Sequence, residues 1–207
     1  MNNDDISSTH LSNAVSEFHK LPGIGSKTAL RLVLHVLNLP EHDVKQFSEA
    51  LLQLKSQVKF CTKCNNISDS EICSVCSNHS RNEKLICVVE SIKDVMAIEK
   101  TSQYKGVYHV LGGIISPLDG IGPNDLSINK LINRVQQAES TEIIFALPAT
   151  MEGDTTCFYI HKKIENKNIN FTTLSRGISI GDEIEYADEL TLGRSIVNRT
   201  TFEPSMR

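Results

Sequence analysis

Apolar positions in the first sixty residues recur at helical spacing. Leu11, Val15 and Phe18 share one face between His10 and Lys20, which predicts a short amphipathic helix. Residues 1–9 are polar, lack that period and are expected to fray. In Leu21-Pro22-Gly23-Ile24-Gly25, Pro22 stops the first helix and the two glycines permit a tight, partly left-handed turn. Ser26 is placed to cap the next helix. From 26 to 38, Ala29, Leu30, Leu32, Val33, Leu34, Val36 and Leu37 cover more than one face, so this helix needs more than one partner surface. A subunit contact is therefore expected. Beyond Pro40, Val44, Phe47, Leu51, Leu54 and Val58 predict a third helix running to the first cysteine.

After residue 81 the pattern changes. Leu85 to Val89 is a continuous apolar run of the kind buried in a parallel sheet. Val107–Leu111, Glu142–Leu147 and Ile169–Leu174 read as further strands. Helices are expected after Glu90, carrying Asp94, Val95 and Ile98, over Leu126–Ala138 and over Thr155–Ile164. Gly112–Pro123 and Pro148–Asp154 read as loops, the first long enough to suggest function. Strands alternating with helices mean a parallel α/β domain, and the loops at the strands' carboxyl ends are its default site.

Between these two regimes stand Cys61-x-x-Cys64 and Cys73-x-x-Cys76, eight residues apart. Four thiolates at that spacing close a tetrahedral shell around one zinc ion and leave no open bond for a substrate. Asn65, Asn66, Ser68, Asp69 and Ser70 suit the connecting turn. The segment has too few apolar residues to fold alone, so the metal would supply much of its folding free energy. The rival readings are two disulfides or a redox dithiol, but a redox motif is one such pair opening a helix. His79 is near enough in sequence to be an alternative ligand. Cys87 in an apolar strand and Cys157 on a helix read as core thiols.

The totals narrow the partners. The chain has 207 residues, 40% hydrophobic and 22% charged, with net charge −4 and pI about 6.0. There is no global basic field, so any nucleic-acid contact must come from local patches. Six cysteines, four of them in a metal pattern, point to a reducing compartment. The polar N-terminus and the lack of a long apolar run point to the cytoplasm. No Walker A sequence is present.

Two clusters carry candidate chemistry. The amides after Gly23 and Gly25 point outward with the helix's positive end, a site for a phosphate oxygen. Lys27 and Arg31 lie one turn apart and can track a strand's backbone without reading its sequence. The alternative is a packing element with two solvated cations. Lys55, Lys59 and Lys63 form at most a modest basic edge. Glu90 with Asp94, and Glu152 with Asp154, fall at strand ends, where converging carboxylates can hold Mg²⁺. Acidic residues are equally favoured there by the dipoles of the following helices.

The order of the motifs is informative. The Leu-Pro-Gly-Ile-Gly hairpin, the four-cysteine knuckle and Tyr108-His-Val-Leu-Gly-Gly113 resemble the RecR family of bacterial recombination mediators. So do Ser116-Pro-Leu-Asp-Gly-Ile-Gly-Pro123, Glu152-Gly-Asp-Thr-Thr156 and Leu190-Thr-Leu-Gly-Arg194. The resemblance runs from about Leu21 to Arg199. It implies an α+β multi-module chain: a helix-hairpin-helix domain (1–58), a zinc finger (59–80), a Toprim domain (81–178) and a tail (179–207) packing on a neighbouring subunit. It also implies a non-catalytic homo-oligomer, dimer or tetramer, that binds single- and double-stranded DNA. Such a clamp works with RecO, and RecF where present, to load RecA onto DNA coated with SSB. Zn²⁺ would sit on Cys61, Cys64, Cys73 and Cys76, DNA on Gly23, Gly25, Lys27 and Arg31. Glu90, Asp94, Glu152 and Asp154 match the Toprim acidic positions, the second pair on the face implicated in RecO contact. Two departures stand out: Ala146-Leu-Pro-Ala-Thr150 replaces the usual Thr-Asn-Pro-Thr type of sequence, and Asn82 replaces an Asp. The enzymatic alternative is a small Toprim nuclease using Mg²⁺. A third reading is a zinc-stabilised DNA-binding scaffold with no recombination role.

Overall fold

The computed structural model describes residues 8–137, 142–164 and 168–201, and the chain divides into two compact units at Val58/Lys59. The expectations for residues 1–7, for Ala138 and for tail residues 202–207 lie outside the described residues. Ser8 and Thr9 are part of a helix start rather than a frayed end. Helix α1 spans Thr9–His19, and the Ser8 hydroxyl caps it by accepting from the Leu11 amide at 3.4 Å.

In the first unit α1 packs on α2, Ser26–Leu37. Val15, Ala29 and Val33 are buried between them, with Leu11, Phe18, Ile24 and Leu30 half-buried around. The broad apolar surface of α2 is only partly used, since Leu34 and Leu37 remain exposed. Helix α3, Glu41–Gln57, begins after Pro40 with Glu41 and Asp43 in its first turn, where the helix dipole favours them. It buries no residue, and Phe47, Leu51, Leu52 and Leu54 stand exposed.

The second unit opens with a two-stranded ribbon, β1 (Lys59–Phe60) antiparallel to β2 (Ile67–Ser68). Its main sheet has four parallel strands: β3 (Asn82–Val89), β4 (Gly106–Val110), β5 (Glu142–Ala146) and β6 (Asn170–Thr173). Their order is β4-β3-β5-β6. The apolar run in β3 is explained by its central place. Ile86 and Val88 face a core with Leu131, Val135 and Ile160, while Cys87 and Val89 face Val95, Tyr108 and Val110. Helix α4 (Ile92–Lys100) supplies Val95, α5 (Ile128–Gln137) supplies Leu131 and Val135, and α6 (Met151–Lys163) supplies Ile160; Tyr108 and Val110 come from β4. A 3-10 turn at Ile184–Tyr186 precedes α7, Glu189–Val197.

One boundary differs in a way that matters. Helix α6 begins four residues before the expected Thr155, so Glu152 and Asp154 lie in its first turn and not in a loop. The Thr150 hydroxyl caps the helix by accepting from the Gly153 amide at 3.2 Å. Gly153 reads as a loop residue in sequence, but here it allows the helix to press on the Pro148 carbonyl, which a methyl group would strike. The unusual Ala146–Thr150 segment thus still forms a well-defined cap.

Candidate metal centre and nucleic-acid interface

The four cysteines of the knuckle are brought together. Asn65 takes the left-handed region (φ 61°), which Asn tolerates better than most residues, and its amide returns to the Cys61 carbonyl at 2.9 Å. The second turn closes when the Ser77 amide donates to the Cys73 carbonyl at 3.0 Å. The sulfurs of Cys61, Cys64, Cys73 and Cys76 all lie within 4.8 Å of one another, and all four residues are buried. Cys64 Sγ and Cys73 Sγ are 3.5 Å apart. That is far beyond a disulfide bond of about 2.05 Å. It approaches the edge of about 3.8 Å that a tetrahedron with 2.3 Å zinc–sulfur arms requires. The four thiols are free, so paired disulfides are not what closes the knuckle.

Without a cation Cys76 is favoured as a thiolate, while burial pushes Cys73 up. The Cys73 amide donates to Cys61 Sγ at 3.3 Å. The Cys64 thiol shares its proton with Cys76, which holds Cys76 down at about 6; the Arg134 guanidinium adds to this. The same sharing, and then burial, push Cys64 up. A cluster arranged this way suits a cation that displaces every proton. His79 is exposed and outside it. Cys87 is buried, which pushes its thiol up to about 12, and burial raises Cys157 to about 11. Neither is primed as a nucleophile.

The knuckle is fastened to the sheet. The Val110 amide donates to the Cys64 carbonyl at 2.8 Å, and the Asn65 side-chain amide donates to the Val110 carbonyl at 3.1 Å. Val75, between Cys73 and Cys76, packs on the apolar cluster of Cys87, Val89 and Tyr108. Arg134 of α5 donates to the Tyr108 carbonyl at 2.8 Å. Sequence spacing contained none of these long-range ties.

In the first unit, Lys27 and Arg31 are both exposed on α2. Gly23 has φ 79°, a conformation that strains any other residue type except Asn or Asp. Gly25 instead is the N-cap, with an ordinary φ of −79°, and Ser26 is the first helical residue; no side chain caps this end. The expected Ser26 cap is thus corrected. An uncapped helix leaves its first amides without partners. Space beside Gly23 and Gly25 is open, so a ligand can approach the backbone closely.

Two of the four strand-end carboxylates have protein partners. Asp94 completes a capping box: its Oδ2 accepts from the Ser91 amide at 2.7 Å and the Ser91 hydroxyl at 3.0 Å. Asp154 pairs with Arg176 through Nη2–Oδ1 at 2.7 Å and Nη1–Oδ2 at 3.3 Å, and this contact lowers its pKa. Glu90 and Glu152 are half-buried. Among the described residues, only the four cysteines form a metal-ligating cluster of three or more such groups.

One network escaped sequence reasoning altogether. Arg81 forks onto Glu99 at 2.8 and 2.6 Å, and the Tyr108 hydroxyl donates to Glu99 Oε1 at 2.6 Å. The guanidinium holds the Glu99 carboxyl below its usual range. Arg81 also reaches the Tyr104 and Gly106 carbonyls, locking the start of β3 to α4 and β4. Asn82, at the other departure, accepts from the Lys84 amide at 3.0 Å.

Fold and site define a modular Toprim-type protein with a helical hairpin domain and a four-cysteine metal knuckle. The chain matches the RecR helix-hairpin-helix family (residues 11–55), the RecR zinc finger domain of the four-cysteine type (58–78), the Toprim domain (84–175) and the RecR C-terminal family (177–200). It is 56% identical to Recombination protein RecR of Bacteroides fragilis over 200 residues, 97% of this chain and 98% of that protein. The protein of the same name from Phocaeicola vulgatus is 57% identical over the same shares. That of Flavobacterium johnsoniae is 55% identical over 203 residues, 98% of each chain. The chain belongs to the RecR family of recombination proteins.

Proposed function

We propose that this protein is a DNA-binding recombination mediator in recombinational repair, a clamp that holds DNA without cleaving it. The observation that carries this reading is the uncapped, open N-terminus of α2 beside exposed Lys27 and Arg31, in a chain of the RecR family. Backbone amides and two cations offer phosphate contacts and no groups shaped for base edges, so binding is indifferent to sequence. One Zn²⁺ per chain on Cys61, Cys64, Cys73 and Cys76 holds the knuckle to the Toprim sheet. With its shell filled, that ion is structural.

The partner readings rest on surfaces. Exposed Phe47, Leu51, Leu52 and Leu54 on α3, with Leu34 and Leu37 on α2, support a homo-oligomer, dimer or tetramer. The tail from 179 onward exposes Ile180, Ile184 and Tyr186, which supports packing on a neighbouring subunit. The Toprim face around Glu152 is the proposed contact for RecO, with RecF joining where present. The complex then loads RecA onto SSB-coated single strands in the cytoplasm, at the nucleoid. No helix among the described residues is long and apolar enough to cross a membrane. A small Toprim nuclease is not favoured: Asp94 is committed to a helix cap and Asp154 to Arg176, so neither is free to take Mg²⁺ without losing those partners.

The test is the double substitution Lys27→Ala, Arg31→Ala. Losing two phosphate contacts should flatten the slope of log affinity against log salt by about 1.8 on duplex DNA. The weakening should be equal across sequences, with no cleavage by either protein in Mg²⁺. Unchanged affinity at low salt would misplace the DNA face, and cleavage abolished by Glu90→Ala would restore the nuclease.

A further inference from the structure

The loop that leaves β4 is held rigid at its root and bare at its tip. Ile115 and Ser116 are buried. The Ile115 amide donates to Thr156 Oγ1 of α6 at 2.9 Å, and that hydroxyl donates in turn to the Glu152 carbonyl at 2.7 Å. Ser116 and Ile121 exchange both backbone hydrogen bonds, at 3.0 and 2.9 Å. Between them Pro117 holds the second position of a turn closed by the Asp119 amide on the Ser116 carbonyl at 3.2 Å, a place its fixed φ suits. The Ser116 hydroxyl donates to Asp119 Oδ2, and Gly120 takes the left-handed region at φ 72°. At the apex Leu118 is 96% exposed. A scattered exposed leucine is ordinary. One carried on this support is already ordered, so covering it loses little conformational entropy.

From Gly112 to Asn129 the sequence has Asp119 and Asp125 and no Lys or Arg, which sets the tip against a DNA backbone. The complementary surface lies in the tail. From Leu190 to Thr201 there are two arginines, Arg194 and Arg199, and no acid. Helix α7 buries none of its residues, and Leu190, Ile196 and Val197 are exposed. Both surfaces are bare within one chain, so a protomer does not cover its own loop with its own tail. We propose that Leu118 is the anchor by which one protomer docks on α7 of a second copy, with Asp119 and Asp125 beside Arg194 and Arg199. Bonds inside the loop use Oδ2 of each aspartate, from the Ser116 hydroxyl and from the Gly122 amide at 2.8 Å. A carboxylate has about four acceptor sites, so both keep capacity for a guanidinium. This contact presupposes the tail's packing on a neighbouring subunit, as proposed above, and supplies the surface that it meets.

The experiment follows the mass of the full, zinc-loaded chain by light scattering across a dilution series. Leu118→Asp should weaken self-association about tenfold or more, the scale of one buried leucine. Its zinc content and circular dichroism should stay those of the wild type, because the side chain stands in solvent. Leu118→Ala, which adds no charge to the turn, should lose nearly as much. Val197→Asp on the opposing surface should weaken association equally. An equimolar mixture of Leu118→Asp and Val197→Asp should recover an intermediate affinity, since the intact loop of one variant meets the intact tail of the other. Unchanged mass in Val197→Asp would sink both the tail's role and this contact. A loss in Val197→Asp with none in Leu118→Asp would overturn the loop's part alone and leave the tail's packing standing. No recovery in the mixture, or RecO binding lost in Leu118→Asp while self-association is intact, would also overturn the proposal, the latter in favour of a different protein on the loop.

Discussion

His109 is wholly buried on β4, in the family's Tyr108–Gly113 motif. Its Nε2–H donates to the Ser127 carbonyl at 2.9 Å, and Nδ1 has no hydrogen-bond partner among the described residues. A second proton would therefore create a buried cation and an unsatisfied donor, with Arg134 and Lys130 repelling it. Burial lowers its pKa from 6.5 to about 4. Below pH 6.5 the unfolded chain takes up a proton that the native chain refuses, so stability falls as pH falls. The loss grows by about 1.4 kcal/mol per pH unit and levels off near pH 4 at about 3 kcal/mol. His109→Gln keeps a donor for the Ser127 carbonyl but cannot titrate. Urea unfolding of both proteins, zinc-loaded, from pH 7.5 to 4.5 isolates the effect, because metal loss and other groups contribute alike to each. Between pH 6.5 and 5 the wild type should lose about 1.6 kcal/mol more than the variant. Parallel pH profiles would refute the reasoning.

Other outcomes follow from the ties around the sheet. Cys64→Ala should abolish stoichiometric zinc, measured by chelator release, and lower the melting temperature of the second unit. Structural zinc sites supply on the order of 10 kcal/mol in isolated knuckles, so an unchanged melt after confirmed zinc loss would contradict the structural role. Arg81→Ala removes both forked bonds to Glu99 and should cost about 2 kcal/mol in chemical denaturation. A cost below a few tenths of a kcal/mol would mean solvent already screens that pair.

How much of this was legible in advance varies by residue, for physical reasons. The cysteine spacing determined the knuckle, because metal ligation within a short loop is a local constraint. The apolar run of Leu85–Val89 determined a central parallel strand, since burial on both faces leaves no polar position. The start of α6 was not legible: a glycine within Glu152-Gly-Asp154 reads locally as a loop, and only the approach of Pro148 makes a helical glycine favourable there. The same holds for the missing cap at Ser26, where hairpin geometry assigns the N-cap to Gly25.

Sequence by itself thus settled which modules are present and in what order, because periodicity, turn residues and ligand spacing are written over short distances. What the side chains at strand ends are committed to was decided only by tertiary structure. Asp154 finds Arg176 twenty-two residues away, Glu99 finds Arg81 and Tyr108, and Asn65 of the knuckle finds Val110 forty-five residues along the chain. Charge pairing acts through space, so a carboxylate that reads as a metal ligand along the chain becomes an arginine's partner once the sheet has assembled.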